Sequence, residues 1–427
     1  MKILLIGHAL CPNRGSEPGT TWNWAWHLST SHRVWVLAHP EFREEVDRCL
    51  AERKNSNLHV IWVTLPNWRD PWKPTRGERG IRLHYILWQR MALRTAARLH
   101  NELGFDLIHY VSWNTISAPP PLWRLPVPSL WGPLGGGMTA PLNFVNYLGS
   151  GMWREFLRTL RVRLLPWRPA LRKAVRRYPI LLATNQETAR VLKRAGARDV
   201  RFFLDVGIEP EYPFLRPKER QAPETFRLLW AGRLEARKAL PLALESLAQV
   251  RDQRIQLMIA GNGPLRAQWE KLAQDLALNG QVQFLGFVPW KKMTELYRSS
   301  DAFLFSSLRD SSGTVVLEAM AHALPIITLD HQGVRDFVPR DAGIKVPVTT
   351  PAQTVSSLAA AIALLANSSD VCRAMGEAAQ SFAKTQTWDL RAKRMSLLYE
   401  EVLAANPCMQ VQKDHTSGDV IRPSFID

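Results

Sequence analysis

The stretch AFLFSSLRDSSGTVVLEAMAHALPIIT, residues 302–328, decides the fold. Its apolar start, 302–307, reads as a buried strand. Ser311, Ser312 and Gly313 break the apolar pattern and suit a helix cap. Residues 314–323 suit a helix, which Leu324-Pro325 stops before a new apolar run at Ile326 and Ile327. A strand end, a small-residue loop and a helix start therefore fall together, with acids at Asp310 and Glu318. A helix N-terminus offers free N–H groups and a positive dipole end, which suits a phosphate. An ordinary βα unit with a surface glutamate accounts for the same letters.

Working outward, three further units of this kind precede the stretch. FRLLWAGRLEARKALPLALESL (226–247) is a strand giving way to Gly232-Arg233, with Lys238 five residues on. Two cations in a strand-to-helix loop suit a diphosphate, Arg as a planar fork and Lys as a mobile point charge. Two solvated loop charges are the plainer alternative. IQLMIAGNGPL (255–265) is a strand with a tight turn at Gly261 and Gly263, and VQFLGFVP (282–289) is a strand followed by Gly286 and Phe287. In this order, and with Asp310 and Glu318 at their spacing, these motifs resemble the retaining, family 4 glycosyltransferases of the GT-B fold (glycosyl transferases group 1). The resemblance covers roughly residues 1–405 and is strongest over 226–328. The chain departs from the pattern at Asp310, where Glu is usual, and at Ala239 and Ala323, where Gly is usual.

The resemblance implies a division of roles. Arg233 and Lys238 would lie on the donor diphosphate, Glu318 on the ribose hydroxyls and Asp310 on the sugar ring. Gly232, Gly261, Gly263, Gly286, Phe287, Ser311, Ser312, Gly313 and Thr314 would line the donor. No metal is expected, because the two cations take its place and the sequence has no Asp-x-Asp motif.

The first half repeats the strand-to-helix rhythm. KILLIG (2–7) reads as a strand, HALCPNRGSEPGT (8–20) as a loop, and a helix is expected from about Thr20 to Ser29. Gly15 and Ser16 in this loop are similar to the first loop of the same family, whose backbone faces donor phosphate or acceptor, and are expected to bind the donor, although Gly15 also suits a plain turn. FDLIHYVSW (105–113) is a strand; aligned on Asp106, the family's first strand histidine is His109, a catalytic candidate, and Val111 stands at the second. A packed strand histidine fits His109 equally. The Gly135-Gly136-Gly137 run reads either as a turn or as a cleft-lining loop.

Residues 152–177 hold nine cations, Arg154, Arg158, Arg161, Arg163, Arg168, Arg172, Lys173, Arg176 and Arg177, against one acid, Glu155. Trp153, Phe156, Leu157, Leu160 and Leu164 share one helix face. A basic amphipathic helix of this kind suits an anionic membrane surface, and an ordinary domain helix with a solvated basic face is the alternative. The chain as a whole carries a formal charge of +17 and a pI of about 10.1, which calls for an anionic partner.

Composition completes the expectation. At 427 residues, 46% hydrophobic and 22% charged, the chain suits two globular domains with full cores. No apolar run reaches a membrane span, and MKILLIGHAL reads as a first strand rather than a leader. Cys11, Cys49, Cys372 and Cys408 show no metal or disulfide spacing and fit a reducing cytoplasm. The expected fold class is α/β: two doubly wound Rossmann-like domains facing across a cleft, with a C-terminal helix crossing back to the first. Residues 1–208 form the acceptor-side domain, 209–225 a Pro-rich linker, 226–384 the nucleotide-sugar domain, 385–405 the closing helix and 406–427 a disordered tail. The resemblance implies glycosyl transfer from a nucleoside-diphosphate sugar to a saccharide or lipid-linked acceptor, and the basic, Trp-rich segment places the expected site of action at the inner face of the cytoplasmic membrane. A sugar-nucleotide epimerase or phosphorylase of similar fold is the enzyme alternative. A nucleic-acid-binding protein is the other, although the sequence has no recognised motif for one.

Overall fold

The computed structural model describes residues 1–405 apart from 13, 74, 76, 78, 112, 114, 213 and 215–224. Most of the expected linker and all of the expected tail, with Cys408, lie outside the described residues.

Two parallel sheets carry the chain. The first holds β1 (Lys2–Ile6), β2 (Arg33–Ala38), β3 (Leu58–Trp62), β4 (Leu107–Tyr110), β5 (Ser129–Leu134), β6 (Leu181–Ala183) and β7 (Val200–Phe202), in the order β3-β2-β1-β4-β5-β6-β7. The second holds β8 (Phe226–Ala231), β9 (Ile255–Ala260), β10 (Val282–Gly286), β11 (Ala302–Phe305), β12 (Ile326–Leu329) and β13 (Gly343–Val346), in the order β10-β9-β8-β11-β12-β13. Helices cover both faces of each sheet, so the central strands are apolar runs without alternation; every residue of β11 and β12 is buried. The strand order reverses between β1 and β4 and again between β8 and β11. Those two switch points are where a doubly wound sheet opens a crevice beyond the carboxyl ends of its strands.

The crossing helix is present as expected. Trp388–Ala404 packs Trp388, Ala392, Met395 and Tyr399 into the core of the first domain. It enters through Trp388 N, which donates to Ile208 O at 2.8 Å. Gly207 lets this happen: a Cβ there would lie 2.9 Å from the Trp388 ring. In the other direction, Phe144 and Leu148 are buried in the core of the second domain, so the segment around them leans across the cleft.

Three elements differ from expectation. The first helix begins at Ser16, not near Thr20, because Pro18 is tolerated in a first turn. Arg43–Arg53 is a helix that no apolar stripe announced, since only Val46 and Cys49 are buried on it. The basic segment is not one helix. Met152–Leu164 is followed by a 3-10 turn, Leu165–Trp167, and by Pro169–Val175, because Pro166 and Pro169 interrupt the backbone ladder. Among the described residues no single helix is long and apolar enough to cross a membrane.

Candidate active site

The loops at the β8/β11 switch point bring most of the expected donor residues together. After β8 the chain passes Gly232 and Arg233, makes a 3-10 turn at Ala236–Lys238 and enters the helix Leu240–Val250. After β11 it runs through Leu308–Ser312 to Gly313, whose φ of +74° starts the helix Thr314–Ala321. No side chain caps that helix, so Ser311 and Ser312 do not act as its cap. The two loops are laced: Leu308 N donates to Arg237 O at 2.9 Å, and Ser306 Oγ donates to Lys238 O at 3.1 Å.

Gly261 and Gly263 lie against this lacing rather than in the open. A Cβ on Gly261 would meet Gly232 O at 1.9 Å, and one on Gly263 would meet Leu234 O at 2.4 Å. Their place in the site is therefore indirect: they let the β9 loop hold the Gly232–Leu234 backbone. Gly286 takes φ +72° and presents Phe287, which is exposed at the rim.

The charges are arranged in two groups. Lys238 Nζ forms an ion pair with Asp310 Oδ2, and Arg237 Nη1 approaches the same oxygen at 3.7 Å. Burial pushes the Asp310 carboxyl up, but Lys238 and Arg237 outweigh it and hold the group below its ordinary value. Asp310 N donates to Gln332 Oε1 at 2.7 Å, which fixes the loop. Arg233, one step away, is exposed, and among the described residues it has no ion-pair partner. The second group is on the helix. Glu318 accepts from Tyr297 OH at 2.8 Å and from Trp290 Nε1 at 3.4 Å; burial pushes its carboxyl up despite these donors. Arg237, Gln332, Tyr297 and Trp290 were not anticipated. Arg237 had a signal, since it adjoins Lys238; the others come from distant segments.

His109 is not part of this site. It is fully buried, with Nδ1 2.6 Å from Tyr399 OH and Nε2 2.7 Å from Gly132 O. A carbonyl only accepts, so Nε2 carries the proton and Nδ1 accepts from the tyrosine. Burial pulls its pKa down to about 4. His109 pins the crossing helix to β5, and the catalytic expectation is corrected accordingly. Gly15 is the N-cap of the first helix and is open to solvent, with nothing near an added Cβ; Ser16 opens the helix. Gly137 N donates to Thr188 Oγ1 at 3.1 Å, so part of the glycine run is packed.

The domains meet over the site. Arg309 grips Glu155 of the basic helix through two bonds, Nε to Oε2 at 2.9 Å and Nη2 to Oε1 at 2.7 Å. Gln332 Nε2 donates to Thr139 O at 2.8 Å, and Arg335 pairs with Glu187 at 2.8 Å. A cavity of about 380 Å³ lined by Met1, Arg33 and Asp106 lies at the opposite, amino ends of the strands.

Two parallel-sheet Rossmann-like domains with their switch-point crevices at the interdomain cleft make up the GT-B fold. Residues 211–382 match the family described as glycosyl transferases group 1. Sucrose-phosphate synthase from Thermosynechococcus elongatus shares the fold with a TM-score of 0.66 at 18% identity, over 95% of this chain and 99% of that one. Anabaena HepE, solved in complex with UDP, shares it with a TM-score of 0.63 at 16% identity, over 94% and 100%. In sequence, the D-inositol 3-phosphate glycosyltransferase of Corynebacterium kroppenstedtii is 27% identical over 201 residues, 45% of this chain and 44% of that protein. The chain spans less than half the length of the curated relatives it matches. The epimerase, phosphorylase and nucleic-acid readings find no support among these proteins.

Proposed function

We propose that the protein transfers a glycosyl unit from a nucleoside-diphosphate sugar to a hydroxyl acceptor, with retention of anomeric configuration. The observation that carries this reading is the β8/β11 switch point, where exposed Arg233 stands beside the Lys238–Asp310 pair at the start of the helix bearing Glu318. On donor binding Arg233 and Lys238 engage the diphosphate, and they stabilise the charge that it gains as the leaving group. No divalent cation is needed there, because the two side chains supply the positive charge. Lys238 turns partly from Asp310 to do so, which frees an ionised carboxylate for the sugar hydroxyls. Glu318, aligned by Tyr297 and Trp290, accepts from the ribose hydroxyls.

The acceptor reading is a lipid-linked or growing saccharide at the inner face of a cytoplasmic membrane. It is supported by the face of Met152–Leu164 that the fold leaves uncovered: Trp153 is 68% exposed and Trp167, just beyond, 67%, with Phe156, Leu157, Leu160 and Leu164 between them. The arginines flanking this face suit anionic lipid.

Nucleotide release from a panel of nucleoside-diphosphate sugars, with and without lipid-linked acceptors, tests the proposal. One donor should be turned over, and Lys238→Ala should abolish most of it. Absence of turnover with every donor and acceptor, in protein that also fails to bind any nucleoside diphosphate, would overturn it.

A further inference from the structure

A second cluster of reactive side chains lies in the other domain, at the carboxyl ends of β1 and β2. His8 follows β1 and His39 follows β2. His84 sits in the first turns of the helix Ile81–Leu103, and Asp70 comes from the Trp- and Pro-rich segment that precedes it. His84 Nδ1 is 2.6 Å from Asp70 Oδ1, which also accepts from Trp72 N at 3.0 Å. The other nitrogen, His84 Nε2, is 3.0 Å from His8 Nε2. The His8 and His39 rings stack with centroids 5.2 Å apart, and Trp72 and Trp88 wall the group. One ligand atom each from His39, Asp70 and His84 falls within 4.8 Å of the others.

His39 supplies the second observation. It is 9% exposed, and its Nδ1 is buried with no hydrogen-bond partner. An orphaned buried imidazole nitrogen costs free energy unless something meets it. The His39 ring stands beside a carboxylate and a second imidazole, the donor set of a cation.

We propose that His39, Asp70 and His84 hold a divalent transition cation, zinc first, which fastens the segment carrying Asp70 over the ends of β1 and β2. Two imidazoles and one carboxylate suit zinc or a neighbouring first-row ion over calcium or magnesium, which prefer oxygen alone. The surroundings supply what such a site needs. With the metal on one nitrogen of His84, the other donates to His8, and this second bond fixes the ring. Ligand atoms around zinc stand roughly 3.3 Å apart, given bonds of about 2.0 Å. Binding therefore opens the 2.6 Å His84–Asp70 contact to make room for the ion, and Asp70, outside helix and strand, is the one placed to move. This site is separate from the β8/β11 loops and does not depend on the donor reading.

Untagged protein stripped with a chelator and dialysed against zinc should retain one equivalent per chain by elemental analysis. Its melting temperature should rise with zinc and fall again with chelator, and cobalt(II) should bind with visible d–d absorption. His39→Gln and Asp70→Asn should each weaken zinc binding tenfold or more. His59→Gln, an exposed histidine on β3, should leave it unchanged. Stripped parent protein that takes up no zinc and shows no thermal shift would overturn the proposal, even if the variants fold poorly. So would equal binding in parent and His39→Gln, which would leave an ordinary water as the partner of His39.

Discussion

Arg233 and Lys238 are held differently, and that decides how each responds to substitution. Lys238 is paired with Asp310, so its loss leaves a partly buried acid with only the more distant Arg237, whereas Arg233 is exposed and free to meet a ligand. Arg233→Ala should therefore lower transfer by about two orders of magnitude while leaving the melting temperature near that of the parent; near-normal turnover in a folded variant would remove it from the mechanism. Glu17 makes a pH prediction. Burial first, and the neighbouring charge of Asp205 second, raise its carboxyl from 4.5 to about 7. A folded-state pKa above the unfolded one gives stability that is present below about 4.5 and lost as the pH rises through about 7. The parent should thus lose roughly 2–3 kcal/mol relative to Glu17→Gln between pH 4.5 and 8, read by urea unfolding at both values; a constant difference would refute it. These residues also show how far the sequence could be read. The places of Arg233, Lys238 and Asp310 were legible because each follows a strand end within a short loop, and that of Glu318 because it lies on the next helix. The role of His109 was not, because its partner Tyr399 is 290 positions along the chain. Ala239 and Ala323, where the resembling family has glycine, take φ of +46° and +58°, so the glycine preference has a conformational cause that this chain meets with strain.

At the scale of one element, the helix Met152–Leu164 has two faces with different work. The apolar stripe read from the sequence at 153, 156, 157, 160 and 164 is the stripe that the fold leaves exposed. The opposite face, which the stripe did not describe, turns Thr159 and Val162 into the core and sends Glu155 to Arg309. Arg158 goes with it: its Nη2 donates to Gly136 O at 3.3 Å, and burial first, then the nearby Arg309, pull its pKa down to about 10. Arg158 is therefore a cleft residue and a poor choice for testing lipid binding. Arg154, Arg161 and Arg172 are exposed. Each cation near an anionic surface contributes about 1 kcal/mol, so reversing all three to Glu should weaken pelleting with anionic liposomes by more than a hundredfold. High salt should release the parent. Unchanged liposome binding in the triple variant would sink the docking idea.

At the scale of the whole molecule, the two sheets and the crossing helix were legible because strand-to-helix units repeat down the chain and the turn residues mark each one. How the halves grip each other was not, because the ion pairs across the cleft join residues 154 and 148 positions apart. Glu155–Arg309 and Glu187–Arg335 are both partly buried ion pairs, and each lies between an acid of the first domain and a cation of the second. A neutral amide keeps the shape but gives up most of the Coulomb attraction, at a cost of order 1 kcal/mol per pair at this exposure. The two losses act on closure and not on either core, since neither ion pair is part of the apolar clusters. Joint Glu155→Gln and Glu187→Gln replacement should therefore open the cleft. Donor KM should rise about tenfold, the equivalent of 1.4 kcal/mol, kcat should change less, and the radius of gyration by X-ray scattering should increase while the unfolding midpoint stays within a few degrees. Unchanged donor KM with unchanged scattering would mean that closure is held by Gln332–Thr139 and the packed 140–148 segment instead of by charge.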